Sequence, residues 1–160
     1  MKRPLVVILM GSKADLPHCQ KIKEAAMSFS LEVAMHIGSA HKTPLHTLKL
    51  VERYEQDASP KVYITVAGRS NALSGFVDGA VSAPVIACPP PSETFGGADI
   101  YSSLRMPTGI APALVLDPCN AAFLAAKILS LADPEVLQKV TGFQNQNAAK
   151  ILNDDSELNS

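Results

Sequence analysis

The chain has 160 residues, which suits one domain, and its 47% hydrophobic against 18% charged residues is enough to build a core and excludes a disordered chain. A formal net charge of -1 leaves no electrostatic basis for nucleic-acid binding. The three cysteines, Cys19, Cys88 and Cys119, are odd in number and form no Cys-x-x-Cys pair, so they are read as small core filler in a reducing compartment rather than as ligands.

The first apolar run, residues 4–10, reads as a strand buried on both faces. It is too short for a signal peptide or a membrane span, which points to a cytoplasmic protein. Gly11-Ser12-Lys13-Ala14-Asp15 follows, and Asp15 is expected to cap a helix from Leu16-Pro17 to about residue 28. Residues 31–37 form a second strand. Thr43 as cap and Pro44 as first helical residue then start a second helix, with Leu45, Leu48, Val51 and Tyr54 at helical spacing.

A third strand is expected over 62–67, a helix of small residues over about 72–81 and a fourth strand over 83–88. Pro89-Pro90-Pro91 through Gly96-Gly97 reads as a stiff loop ending in a hinge-like glycine pair. A short helical piece over 99–104, a fifth strand over 113–116 and an Ala-rich helix over 120–131 complete the core. Asp133-Pro134 caps a last helix to about 152, and residues 153–160 are expected to fray.

Strands and helices alternate, which argues for an α/β open parallel sheet with helices on both faces. In such sheets ligands bind beyond the carboxyl ends of the strands. The loops at those ends are rich in Gly, Ser and polar groups, whereas the returning loops are ordinary. That asymmetry is the residue-level argument for a site. Five loops carry it: 11–15, 38–43, 68–71, 89–97 and, outside that series, 105–109, where Arg105 is open to the same ion-pair reading as Arg69. The first three hold the main candidate groups, and each also has a plainer reading. Gly11, Ser12 and Asp15 offer free backbone donors at a helix start to an anion, or simply a capped turn. Ser39, His41 and Lys42 combine a hydroxyl, a group that titrates near neutral pH and a fixed cation, or form an exposed loop. Gly68, Arg69, Ser70 and Asn71 offer backbone donors, a hydroxyl and an amide to a carboxylate-like or CO2-like group. Arg69 alternatively pairs with Asp78 or Asp99. His18, His36 and His46 fall inside elements, where packing explains them, and the four histidines lack metal-helix spacing, so no metal site is read.

Taken together, Met10-Gly11-Ser12-Lys13-Ala14-Asp15-Leu16, Ser39-Ala40-His41-Lys42-Thr43-Pro44 and Met106-Pro107-Thr108-Gly109 resemble the phosphoribosylaminoimidazole carboxylases and mutases of purine biosynthesis. Weaker support comes from the stretch 120–129. After the third strand, mutases of this family typically carry a Gly/Ala-rich run ending in His, and they have Arg in the second loop. This chain has Ala67-Gly68-Arg69-Ser70-Asn71-Ala72-Leu73-Ser74 and Lys42. Those features resemble the second class, similar to the carboxylase half of the animal bifunctional enzyme, which uses CO2 directly.

The resemblance implies a flavodoxin-like three-layer subunit and a homo-octamer in which the last helix packs on a neighbour. It implies a nucleotide substrate and CO2 as small-molecule partners, with no ATP, biotin or metal cofactor. It further implies His41 as proton carrier, Ser12 and Lys42 at the 5′-phosphate, and Asp15 and Ser39 at the ribose. Gly68, Arg69 and Ser70 would form the CO2 pocket. The nearest rival is the mutase, which shares the nucleotide site. A receiver-type regulatory domain is disfavoured because it needs an Asp where Ala67-Gly68 end the third strand. A flavin module is disfavoured by the lack of a hydroxyl-rich phosphate loop and of an aromatic residue to sandwich the ring.

Overall fold

The computed structural model describes residues 2–159. Five parallel strands, β1 (Leu5–Met10), β2 (Glu32–Ile37), β3 (Lys61–Val66), β4 (Val85–Ala87) and β5 (Ala113–Leu114), form one sheet in the order β2-β1-β3-β4-β5. Helices α1 (Leu16–Ser28), α2 (Pro44–Glu55), α3 (Ala72–Asp78), α4 (Tyr101–Leu104), α5 (Pro118–Leu129) and α6 (Pro134–Leu158) connect and cover it. This order and layering make the fold flavodoxin-like, as the alternation of elements predicts.

Side-chain alternation along the central strands sorts the core into two layers. Val6, Ile8 and Met10 of β1, with Val62, Ile64 and Val66 of β3, pack against α1 and α5. Val7, Leu9 and Tyr63 face the other way, onto Val51 of α2 and Leu73 and Val77 of α3. Buried alanines on α5, Ala121, Ala122, Ala125 and Ala126, let it lie close to the sheet. Tyr63 is fully buried, yet its hydroxyl donates to Glu55 Oε1 at 3.0 Å. The other oxygen of Glu55 accepts from the Ser82 amide and hydroxyl at 2.9 and 2.8 Å, tying the end of α2 to the entry of β4. Burial works against the charge on Glu55, but the bonds from Ser82 and Tyr63 outweigh it and lower its pKa.

The element boundaries shift by a residue or two from the sequence reading at several ends, among them β4 at Val85–Ala87 and α4 at Tyr101–Leu104, and four differences stand out. α3 stops at Asp78, and β5 is only Ala113–Leu114. α5 starts at Pro118 because Asp117 Oδ1 accepts from the Asn120 amide at 2.8 Å, an N-cap followed by proline at the first position. α6 runs through Leu158 rather than ending near 152; Ser160 lies outside the described residues. Its start is as read, with Asp133 Oδ1 accepting from the Glu135 and Val136 amides at 2.9 and 3.1 Å.

α6 is anchored by Val136, Val140 and an aromatic group in which Phe143 meets Phe29 and Phe123 at centroid distances of 5.5 and 5.0 Å. Past Phe143 every residue from 144 to 158 is exposed, with Ile151 at 66%, Leu152 at 71% and Leu158 at 87%. No helix among the described residues is long and apolar enough to cross a membrane.

Candidate active site

The strand order reverses between β1 and β3, so the loops leaving β1, β2 and β3 open onto one crevice. A cavity of about 520 Å³ fills it. The eight residues to which the family resemblance gives a role, Ser12, Asp15, Ser39, His41, Lys42, Gly68, Arg69 and Ser70, line this cavity, with Gly11, Ala14, Ala40, Ala67 and Leu73 between them, whereas Asn71 of the third loop does not.

The loop after β1 closes on itself. Ser12 is extended, with φ -158°, and caps a single 3-10 turn, Lys13–Asp15. Asp15 Oδ2 accepts from the Ser12 amide at 3.0 Å and from its hydroxyl at 3.1 Å. Asp15 therefore does not cap α1 through its side chain, as its position before Leu16-Pro17 predicts. Its carboxylate folds back onto the Ser12 donors three residues earlier, as one half of a capping box around the 3-10 turn.

The loop after β2 is also locally tied. The Ser39 amide donates to Thr43 Oγ1 at 3.0 Å, the Lys42 amide to Ser39 Oγ at 3.2 Å, and the Thr43 amide to the Ser39 carbonyl at 3.0 Å. Thr43 thus uses its side chain on the loop rather than on the amides of α2, although it stands at the helix start as read. Gly38 is sterically required here: a Cβ would come within 2.8 Å of Thr47 Oγ1. Thr47 Oγ1 in turn donates to the Thr43 carbonyl at 3.1 Å. Bonds of this density turn His41 and Lys42, both exposed, toward the cavity.

The loop after β3 is held from a distance. Arg69 has φ +60°, left-handed for a residue that is not glycine. Its amide donates to Asp99 Oδ2 at 3.0 Å. The Asn71 amide donates to Ser102 Oγ at 2.9 Å, and the buried Asn71 side chain donates to Ser103 Oγ at 2.9 Å and accepts from the Ser74 amide at 3.2 Å. Asn71 is therefore a structural cap for α3 and not a free ligand donor. The alternative of an ion pair for Arg69 is not realised either: Asp99 takes its amide, while Asp78 accepts from the Ala111 amide at 2.8 Å. Asp99 enters the sequence reading only as a possible ion-pair partner of the Arg69 side chain, and Ser102 and Ser103 are not read as site residues, since nothing local ties them to a loop so far upstream.

A second cavity of about 590 Å³ adjoins the first across Gly68 and Arg69 and is walled by residues 89–92, Asp99, Asp117, His18 and Lys21. The 89–97 segment belongs to this neighbour rather than to the His41 cavity. Its glycine pair forms a left-handed turn together with Phe95. Met106 and Pro107, from the third family-like motif, line a separate depression beside Ser70 and Ile110.

His18 Nε2 lies 3.3 Å from Cys88 Sγ. Burial, then Lys21, lowers the His18 pKa, and burial pushes the Cys88 thiol up to about 12, so this is a neutral pair and not an activated thiolate. Cys19 is buried and likewise raised to about 12, whereas Cys119 is exposed, contrary to its reading as core filler. His36 packs on Tyr54, its Nε2 at 2.7 Å from the hydroxyl, and burial followed by Arg53 lowers its pKa. His36 and His46 lie outside the cavity.

A model of the AIR carboxylase family matches residues 5–150. The chain is 59% identical over 156 residues to a phosphoribosylaminoimidazole carboxylase of Treponema denticola, covering 98% of each chain. It is 52% identical over 152 residues to a phosphoribosylaminoimidazole carboxylase of Archaeoglobus fulgidus, covering 95% of this chain and 83% of that one. The crystal structure of Treponema denticola PurE matches with a TM-score of 0.96 and 58% identity, covering 99% of this chain and all of the other.

Proposed function

The chain belongs to the AIR carboxylase family, and we propose that it carboxylates 5-aminoimidazole ribonucleotide at C4 directly with CO2, giving 4-carboxy-5-aminoimidazole ribonucleotide in de novo purine biosynthesis. Carboxylation of AIR rests on the high identity to named carboxylases over nearly the whole chain. The observation that carries the direct use of CO2 is the 68–71 loop. It brings Ser70 into the His41 cavity, contains no histidine, and faces Lys42 where mutases have Arg.

The nucleotide lies along the loops after β1 and β2. Lys42 and the Ser12 hydroxyl take the phosphate, and Ser12 turns from Asp15 to do so. That frees the Asp15 carboxylate to accept from the ribose hydroxyls, with Ser39 beside it. The exocyclic amine pushes electron density onto C4, which attacks the carbon of CO2. A C–C bond forms, one C–O π bond becomes a carboxylate oxygen, and the C4 proton leaves to the His41 imidazole and then to solvent. A positioned acid–base group contributes about 10²–10⁴-fold, and fixing two small reactants supplies much of the remainder.

The 68–71 loop stabilises the developing carboxylate. The Arg69 and Asn71 amides are already bonded to Asp99 and Ser102. The donors for CO2 are therefore the Gly68 and Ser70 amides and the Ser70 hydroxyl.

The working form is a homo-octamer in the cytoplasm. The exposed apolar side chains on the far half of α6 support assembly, and three free cysteines are in keeping with a reducing compartment.

The test supplies purified protein with aminoimidazole ribonucleotide and dissolved CO2, and separately with the N5-carboxylated nucleotide after CO2 and bicarbonate are stripped out. Rapid formation of C4-carboxylated product in the first reaction only is expected. Faster product in the second would make the chain a mutase despite the missing histidine.

A further inference from the structure

Of the three loops at the cavity, the one after β3 is tied by side chains of a remote segment, whereas the side-chain bonds of the other two close within the loop. Arg69, at φ +60°, is not a glycine, and a left-handed residue of this kind persists only when its surroundings impose it. What imposes it is the stretch around Asp99. Its Oδ2 accepts from the Arg69 amide at 3.0 Å, and its carbonyl accepts from Ser102 Oγ at 2.8 Å. Ser102 Oγ is in turn the acceptor for the Asn71 amide at 2.9 Å. Asp99 thus grips the loop at one point and fixes the residue that grips it at a second. The chain reaches Asp99 through a left-handed run, Phe95, Gly96 and Gly97, with φ 53°, 61° and 78°. Asp99 borders only the neighbouring cavity, whereas Arg69 borders both. Asp99 acts on the His41 cavity only through the loop.

We infer that Asp99 is a positioning residue for CO2: by holding the Arg69 amide in the left-handed conformation, its carboxylate keeps the flanking Gly68 and Ser70 donors aimed into the reaction cavity. The inference rests on the carboxylase reading, because CO2 is the ligand that reading gives to this loop. A charged acceptor suits the task, since bonds from amides to carboxylates are roughly twice as strong as neutral ones. Without it Arg69 relaxes to negative φ, and the peptide groups on either side rotate with it. The nucleotide, held by loops with their own internal bonds, is left in place. Asp99 therefore separates the two substrates: it governs the gas and not the nucleotide.

The experiment compares full-length Asp99→Ala and Asp99→Asn with the unaltered enzyme. It measures KM for CO2, nucleotide Kd, and hydrogen exchange at the Arg69 amide. Asp99→Ala is expected to raise KM for CO2 about tenfold or more, to change nucleotide Kd by less than about twofold, and to speed exchange at Arg69. Asp99→Asn keeps an acceptor oxygen and is expected to restore most of both losses. Faster exchange with an unchanged KM for CO2 overturns the inference, and so does a parallel rise in nucleotide Kd in both variants. An unaltered enzyme that forms no product from CO2 overturns the proposed function instead, and this inference with it, before any variant is read.

Discussion

The loops after β2 and β3 meet in one cavity but are built by opposite means. In the first, Ser39, Lys42 and Thr43 bond to one another within four residues, and Gly38 makes room for Thr47. In the second, Arg69 and Asn71 bond to Asp99, Ser102 and Ser103, about thirty residues downstream. A self-tied loop carries its side-chain bonds within itself and joins the rest of the domain through the strand ladder, as by the Gly38 amide on the Met10 carbonyl at 2.9 Å. A remotely tied loop takes its shape from another segment, so changes far from the cavity can retune it. The proposed division of labour follows the same line, with the proton and the phosphate assigned to the self-tied loop and the gas to the other.

Four measurements break or sharpen that contrast. The largest effect is expected from His41→Asn, which should lower kcat by about 10²–10⁴-fold and stop exchange of the C4 proton while nucleotide Kd stays put. Normal turnover in this variant would remove His41 from the chemistry. Lys42→Ala should come next, weakening nucleotide binding by roughly tenfold to a hundredfold with little change in kcat at saturation. An unchanged Kd would displace Lys42 from the phosphate.

The third measurement pairs Asn71→Ala with Thr43→Val in denaturant unfolding. Asn71 is buried and serves both a cap and the link to Ser103, so its loss should cost about 2 kcal/mol. Thr43→Val removes one exposed local acceptor and should cost about 1 kcal/mol or less. Equal costs would erase the distinction between the loops.

The smallest effect concerns a residue outside both. His18 is held neutral in the fold, mainly by burial and then by Lys21, so its folded pKa lies below its unfolded one. The unfolded chain then binds more protons as pH falls. The stability His18 contributes is complete above the unfolded pKa of about 6.5 and is lost as pH drops through the interval down to the lowered folded value. Thermal melts between neutral and mildly acid pH should show this decline, and His18→Gln should flatten it. An unaltered slope would assign the decline to other groups, His36 first.

What the sequence could disclose divides along the same boundary. The parallel strands, the starts of α2 and α6, and the gathering of Ser12, Asp15, Ser39, His41, Lys42, Gly68, Arg69 and Ser70 at one end of the sheet all follow from periodicity, from Pro at helix starts and from the rule for strand ends. The side-chain choices did not follow. Asp15 could bond forward to the helix or back to Ser12, and only the geometry of the turn decides. Asp99 is legible in the sequence only as a possible ion-pair partner of the Arg69 side chain; that its carboxylate takes the Arg69 backbone amide instead shows only once β3 and the segment after β4 are side by side. The end of α6 was missed for a different reason. Residues 153–157 are polar enough to read as a frayed tail, yet the backbone stays wound through Leu158.

That far half of α6 has a consequence for how the protein would look in a dilute solution. Past Phe143 every residue through 158 is exposed on the single subunit. A lone helix of fewer than about 12–15 residues is marginal in water. Within the proposed octamer its winding is sustained by copies of the same chain, so part of the far-ultraviolet signal would be a property of the population and not of the single molecule. Diluting the sample would then unwind α6 from its tip while the sheet stays intact, and the ellipticity would act as a gauge of how crowded the chain is with its own kind.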